Sequence, residues 1–255
     1  MTGAIEMRVT VGTPKPYVSV PDVPVPGTGT CPCHDCAEMP RGLFGRLPRR
    51  HAGFQMPRPP RDFYAGGYYH VNTRGNNKGR VYVDPTDRYV FLGMLERSQV
   101  KYEWIVYSWC LMTNHYHLVL RIPENGLSQG MSELNGSFGR WSNRRHERCD
   151  HVFGRRFHAR EITSDAHLLE ACRYVVLNPV RACLCEHPAD WRWSSYRACA
   201  GFEPPQPFLA LDPMLDLVTS FFGTSRSGRH SAYRDFVDAA LTYGAVPVPG
   251  TGTEV

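Results

Sequence analysis

The sequence predicts an α+β fold, an antiparallel sheet with helices packed on one face. Two observations carry that prediction. Short β-rich runs and longer amphipathic stretches follow one another in the order β-α-β-β-α-β-α. Within the sharpest strand, residues 115–122, one side is continuously apolar (Tyr116, Leu118, Leu120, Ile122) and the other carries His115, His117, Val119 and Arg121. Residues i and i+2 of a strand share a face, so such a segment buries one side and offers the other.

The elements follow from local signals. Residues 1–55 are rich in Pro, Gly and Thr and lack periodicity, and residues 245–255 share that composition. Both read as disordered tails. The folded part begins near Met56. Tyr68 to Thr73 is a β-rich run closed by the turn signal Arg74-Gly75-Asn76-Asn77. Asp84 and Pro85 open a helix from Thr86 to about Tyr102, with Tyr89, Phe91, Leu92 and Leu95 as its apolar members. Two strands, Glu103–Leu111 and His115–Ile122, are joined by Met112-Thr113-Asn114. A second helix covers about Leu127 to His146, and Phe157–Ile162 is a strand. Ser164 caps a third helix, which Pro179 is expected to end at Asn178. Residues 56–200 thus form the main domain. Residues 201–244, Pro-rich and then two short helices (Pro213–Phe222, His230–Tyr243), form a small helical C-terminal extension.

Composition narrows the function. No run approaches the ~18 apolar residues of a membrane helix. The first thirty residues have no apolar segment of signal-peptide type. A cytoplasmic protein with no membrane partner is expected. Of nine cysteines, Cys110, Cys172 and Cys199 sit singly in apolar stretches, which suits reduced thiols. Cys31, Cys33, His34 and Cys36 cluster, but no second ligand pair follows at zinc-finger spacing. The net charge is +5, and seven arginines fall between Arg140 and Arg160 against Glu147, Asp150 and the neighbouring Glu161. Such a patch neutralises phosphates or simply forms a solvated face.

The chemistry concentrates in two places. His115 and His117 present two imidazoles on one strand face, a metal pair or two structural histidines. In the helix after Ser164, Leu168, Leu169, Cys172, Val175 and Val176 form one stripe at ~100° per residue. His167, Tyr174, Asn178 and Arg181 lie opposite. Tyr174 and Asn178 are one turn apart and stack on the same face. Taken alone, this is also an ordinary polar helix face.

Leu111-Met-Thr-Asn-His-Tyr-His-Leu-Val-Leu120 resembles the His-hydrophobe-His motif of the HUH single-tyrosine transposases. Tyr69-His-Val-Asn-Thr-Arg-Gly-Asn76, Asp84 to Phe91, Arg173-Tyr-Val-Val-Leu-Asn-Pro-Val-Arg-Ala182, Trp193-Ser-Ser-Tyr196 and Ala232-Tyr-Arg-Asp-Phe-Val237 resemble the branch known as REP-associated tyrosine transposases. The similarity covers about residues 56–243. It implies a ferredoxin-like sheet (β-α-β-β-α-β) with the tyrosine helix docked against the histidine strand. It further implies metal binding by His115 and His117, a nucleophile at Tyr174, and a third ligand at Asn178. The implied cofactor is Mg²⁺ or Mn²⁺, although two imidazoles suit Zn²⁺ better. The implied activity is cleavage and rejoining of single-stranded DNA at hairpins through a 5′-phosphotyrosine. Arg74, Arg140, Arg144, Arg145, Arg155 and Arg156 are candidates for gripping the backbone, and Trp141 for stacking on a base or packing in the core. His167 is the one candidate general base. A monomer or homodimer is expected. Thr113 stands where relatives usually have Pro, Cys183 where a Gly is frequent, and Phe138 and Trp141 where Tyr is common; no catalytic group is lost. A non-catalytic regulator that binds hairpin nucleic acid on the same fold is the alternative, but it does not explain why the histidine pair, Tyr174 and Asn178 occur together.

Val-Pro-Val-Pro-Gly-Thr-Gly-Thr occurs twice, at residues 23–30 and 246–253. Its codons read GTN-CCN-GTN-CCN-GGN-ACN-GGN-ACN. Apart from third positions, that string is its own reverse complement about one central base. DNA encoding the octapeptide can therefore fold as a hairpin, and members of the resembled family are flanked by such palindromes.

Overall fold

The structure, a computed structural model, describes residues 63–223 and 228–242. Both octapeptides and the cluster of Cys31, Cys33 and Cys36 lie outside the described residues. Four strands, β1 (Tyr68–Arg74), β2 (Ile105–Leu111), β3 (His115–Arg121) and β4 (His158–Ile162), form one antiparallel sheet in the order β2-β3-β1-β4. The main helices are α1 (Pro85–Tyr102), α2 (Leu127–Arg145) and α3 (Asp165–Arg181); α4 (Tyr196–Cys199), α5 (Leu211–Phe222) and α6 (Arg229–Thr242) follow. The α+β class and the element order are those expected.

Helix starts show why these residues fold as they do. Asp84 caps α1 by accepting from the Thr86 and Asp87 backbone N–H groups, and Asp87 reaches back to the Asp84 N–H, a complete capping box. Ser164 accepts from the His167 N–H at the start of α3.

The register separates two faces. Asn72, His117 and Cys110 are aligned across β1, β3 and β2, as are Val71, Leu118 and Trp109 on the opposite face. On the apolar face α1 and α2 pack, with the rings of Phe91 and Tyr116 at 4.7 Å. A Cβ at Gly130 would stand 2.3 Å from the Trp104 ring, so only glycine lets α2 come this close. Helix α3 covers the histidine face, where Ser108 Oγ donates to the Cys172 carbonyl at 3.4 Å. Helices therefore lie on both faces: the element order had suggested one, and the tyrosine helix on the histidine face is where the resemblance put it. The strand pattern showed one apolar row, but β2 is buried on both sides from Val106 to Leu111 and needs a second cover. Its outer edge is closed by the chain after α3: Leu111 N–H donates to Trp193 O at 2.8 Å, and Ala210 N–H to Val106 O at 2.8 Å. Helices α5 and α6 add Met214, Leu215, Val218, Tyr233, Phe236 and Val237 to the same core.

Helix α3 also runs past Pro179 to Arg181, beyond the expected end at Asn178. In the last turn a proline removes one hydrogen bond only, and the N–H groups of Ala182 and Leu184 still close on Asn178 O and Pro179 O, each at 2.9 Å. Cys183, at φ 53°, keeps the left-handed cap that glycine adopts more readily.

Candidate active site

Four elements meet at the site. His115 and His117 project from β3 on the face that α3 covers, with ring centroids 5.0 Å apart. His70 comes from β1, its ring stacked on His117 at 5.1 Å and its Nε2 at 2.9 Å from His117 Nδ1. The Tyr174 ring stands edge-on to both, 5.9 Å from His117 and 5.8 Å from His70. Leu168 lies near Tyr68 and Ile162, Cys172 near Ser108, and Tyr174 near His117. That succession makes α3 antiparallel to β3, so Asn178 stands one turn (about 5.4 Å) beyond Tyr174 in the direction of His115. Its Nδ2 donates to Tyr174 O at 2.9 Å, which leaves Oδ1 with its lone pairs. Arg181 places its guanidinium carbon 4.7 Å from the Tyr174 ring centroid.

All three imidazoles are held neutral. Burial, then the charges of His158, Arg160 and His167, lowers the His70 pKa to about 4. Burial and the Arg74 charge lower His115 to about 4, and burial with His70 and His115 beside it holds His117 well below 6.5. A neutral imidazole keeps one ring lone pair, as metal ligation requires. In both strand histidines Nδ1 is occupied, by Asn114 Oδ1 at 2.7 Å for His115 and by His70 for His117. His115 then has Nε2 to offer; at His117 the direction of the hydrogen bond with His70 decides which nitrogen keeps its lone pair. Among the described residues no group of three His, Cys, Asp or Glu could hold a metal.

The predicted basic residues divide. Arg74 pairs across the sheet with His115. The turn after β1 binds the loop that carries Arg155 and Arg156: Asn76 N–H donates to Val152 O at 2.9 Å, and Gly154 N–H to Arg74 O at 3.1 Å. These three arginines are exposed around the His115 end of the sheet, and Arg140 and Arg144 are exposed on α2. Arg145 differs from the expectation. Its guanidinium is forked onto Asp84 (2.7 Å) and the fully buried Asp87 (2.6 Å), tying the end of α2 to the start of α1. Trp141 is half-buried between Phe138 and the Arg145 guanidinium. His167 sits seven residues before Tyr174, two turns away (about 10 Å along the axis), with Nδ1 facing the Thr163 N–H at 3.5 Å.

Sequence reasoning assigned no role to His70, Asn114 or Arg181. Arg181 was visible on the tyrosine face. His70 has no histidine at i+2 on its own strand, and its place diagonally beside His117, across from Val119, appears only once β1 and β3 are paired.

Residues 64–178 match a family model described as IS200-like transposase. A solved structure of the REP-associated tyrosine transposase bound to a REP hairpin matches at 16% identity and a TM-score of 0.50, over 60% of this chain and 90% of that one. At that identity the likeness speaks for the fold. No curated protein matches the chain. Among the described residues, no helix is long and apolar enough to cross a membrane.

Proposed function

We propose that the chain, whose residues 64–178 match the model of the IS200-like transposase family, is a REP-associated transposase that cuts and rejoins single-stranded DNA at palindromic hairpins. The observation that carries the reading is the seating of the Tyr174 ring edge-on to His117, with Asn178 one turn further on. A nucleophile, two imidazoles and an amide oxygen share one face. An RNA- or DNA-binding regulator would have no use for that set.

In the proposed reaction the Tyr174 hydroxyl attacks a phosphodiester phosphorus in line. The P–O3′ bond breaks as the P–O(tyrosine) bond forms. The phenol loses its proton, the departing oxygen gains one as a 3′-hydroxyl, and the 5′-phosphate stays esterified to Tyr174. Attack by another 3′-hydroxyl reverses the steps, so strands rejoin without a nucleotide cofactor. Arg181, beside the ring, favours the negative charge that the tyrosine oxygen carries on departure. His115 and His117 through Nε2, with Asn178 through Oδ1, would hold a Mg²⁺ or Mn²⁺ ion, which supplies Lewis-acid polarisation of the phosphate when bound. Arg74, Arg155 and Arg156 at the rim, with Arg140 and Arg144 on α2, grip the DNA backbone. Arg145, whose guanidinium is tied to Asp84 and Asp87, and the half-buried Trp141 are left out of that grip. The DNA encoding the two octapeptides is the proposed substrate hairpin.

The test is a covalent-adduct assay with a 3′-labelled hairpin oligonucleotide carrying a single-stranded flank, in Mg²⁺ or Mn²⁺. A labelled band that stays with the denatured protein is expected. Tight binding with no adduct supports the regulator instead.

A further inference from the structure

The geometry points to His70 and Asn114 as positioning residues that lock His117 and His115 in the Nδ1–H tautomer, so that both metal-facing nitrogens are Nε2. The inference rests, for His117, on the metal-site reading above; for His115 it stands on Asn114 alone.

Asn114 settles its own orientation. Its Nδ2 lies 2.9 Å from the Lys78 carbonyl oxygen, which can only accept, so the amide NH₂ points there. The other end of the amide is then Oδ1, 2.7 Å from His115 Nδ1. An amide oxygen can only accept, so His115 Nδ1 carries the proton. Free imidazole side chains favour the other tautomer, Nε2–H, and the protein has to impose this one.

The Lys78 carbonyl is itself aimed by the backbone. Asn77 and Lys78 both adopt left-handed conformations, φ 50° and φ 58°, which L-residues other than glycine adopt at a cost. Gly75 and Gly79 close the turn so tightly that a Cβ on Gly75 would stand 2.3 Å from the Gly79 oxygen. Two strained residues in a five-residue turn are thus tied, through one amide, to a ring nitrogen at the site.

For His117 the partner is a second imidazole. His70 Nε2 and His117 Nδ1 lie 2.9 Å apart, so one is donor and the other acceptor. If His70 donated, His117 would carry its proton on Nε2 and have no lone pair for a metal. With His117 as donor, Nε2 is free and His70 is held as the Nδ1–H form. The outer partner of a ligating histidine characteristically fixes tautomer and ring orientation, and its loss costs ~10–100-fold in metal affinity.

The experiment has two arms. In ¹⁵N-resolved imidazole spectra of the metal-free protein at neutral pH, His115 and His117 should show a protonated, pyrrole-type Nδ1 and a pyridine-type Nε2. A pyridine-type Nδ1 at His115 overturns the Asn114 argument, and the same result at His117 overturns the His70 argument. In the second arm, Mn²⁺ affinity is read by the electron-spin resonance of free Mn²⁺. Asn114→Ala and His70→Leu should each weaken it by about 10–100-fold. His70→Gln keeps an acceptor oxygen and should restore most of the loss. Undiminished affinity in the Ala and Leu variants overturns the positioning role while leaving the metal site standing. Failure of the unsubstituted protein to bind Mn²⁺ overturns the metal reading and the His117 half with it; the His115 resonance still decides the role of Asn114.

Discussion

Tyr174 and His117 meet edge to face across two elements that are far apart in sequence, their ring centroids 5.9 Å apart and their planes at 87°. One residue sits on the last-but-one turn of α3, the other in the middle of β3. Their contact depends on α3 crossing the histidine face, and that crossing is anchored by Ser108 of β2 and the carbonyl of Cys172.

The first prediction concerns the nucleophile. Tyr174→Phe removes one hydroxyl and keeps the ring contacts with His70 and His117. It should abolish the covalent adduct and change hairpin affinity by no more than about fivefold, because a single hydrogen bond contributes ~1 kcal/mol net. An adduct formed by the Phe variant would move the role to another tyrosine.

The metal requirement is tested at three positions. His115→Ala and His117→Ala should each remove cleavage, as should a chelator added to the unsubstituted protein. Asn178→Ala should reduce it less and raise the Mg²⁺ concentration needed, since a neutral amide is the weakest of the three donors. Cleavage that persists in excess chelator would refute the metal role.

Adjacent arginines should behave differently. Arg144→Ala should lower affinity for all DNA sequences and reduce the slope of log K against log salt by about 0.7–0.9, with no change in unfolding free energy. Arg145→Ala should leave the salt slope alone and destabilise the fold by ~1–3 kcal/mol, because the buried Asp87 loses a charged partner and keeps His146 and two backbone N–H groups. Equal effects of the two substitutions on DNA affinity would contradict the division.

Stability should fall on acidification. His70 and His115 have folded pKa values near 4 against 6.5 in the unfolded chain. Between those limits the unfolded chain binds more protons, so unfolding takes protons up. The stability these two neutral rings allow is fully present above pH 6.5, declines as pH falls and levels off below 4, at up to ~1.4 kcal/mol per pH unit for each ring. Asp84, with its pKa lowered to about 2 from 3.8 by Arg145 and the helix-start N–H groups, acts only below that window. Urea unfolding at pH 7, 6 and 5 in chelator measures the slope. A flat profile would mean that the rings are solvated.

The gene itself tests the substrate. If residues 23–30 and 246–253 are translated hairpins, the third codon positions should pair across the central base at both ends. The encoded hairpin with its flank should then be cleaved in preference to a scrambled one. A product starting at Met56 should cleave as well as the full chain. Unpaired third positions at both ends would leave only a duplicated Pro/Gly-rich peptide.

Local chemistry made most of the elements legible in the sequence. The alternation in 115–122 placed His115 and His117 on one face, the 3.6-residue period put Tyr174 above Asn178, and Ser164 and Asp84 marked where helices begin. These signals depend on neighbours within a turn or a strand, and a chain cannot alter them by folding. What only the tertiary structure decided is which faces meet. The pairing of β1 with β3 brought His70 against His117, the turn at Lys78 reached Asn114, and α3 came down on the histidine face, which the strand pattern had left open. Arg144 and Arg145 are neighbours in sequence, yet one faces solvent and the other fills the fork between Asp84 and Asp87. Long-range contacts of this kind are set by packing and by buried charge seeking a partner, and neither leaves a periodic trace in the sequence.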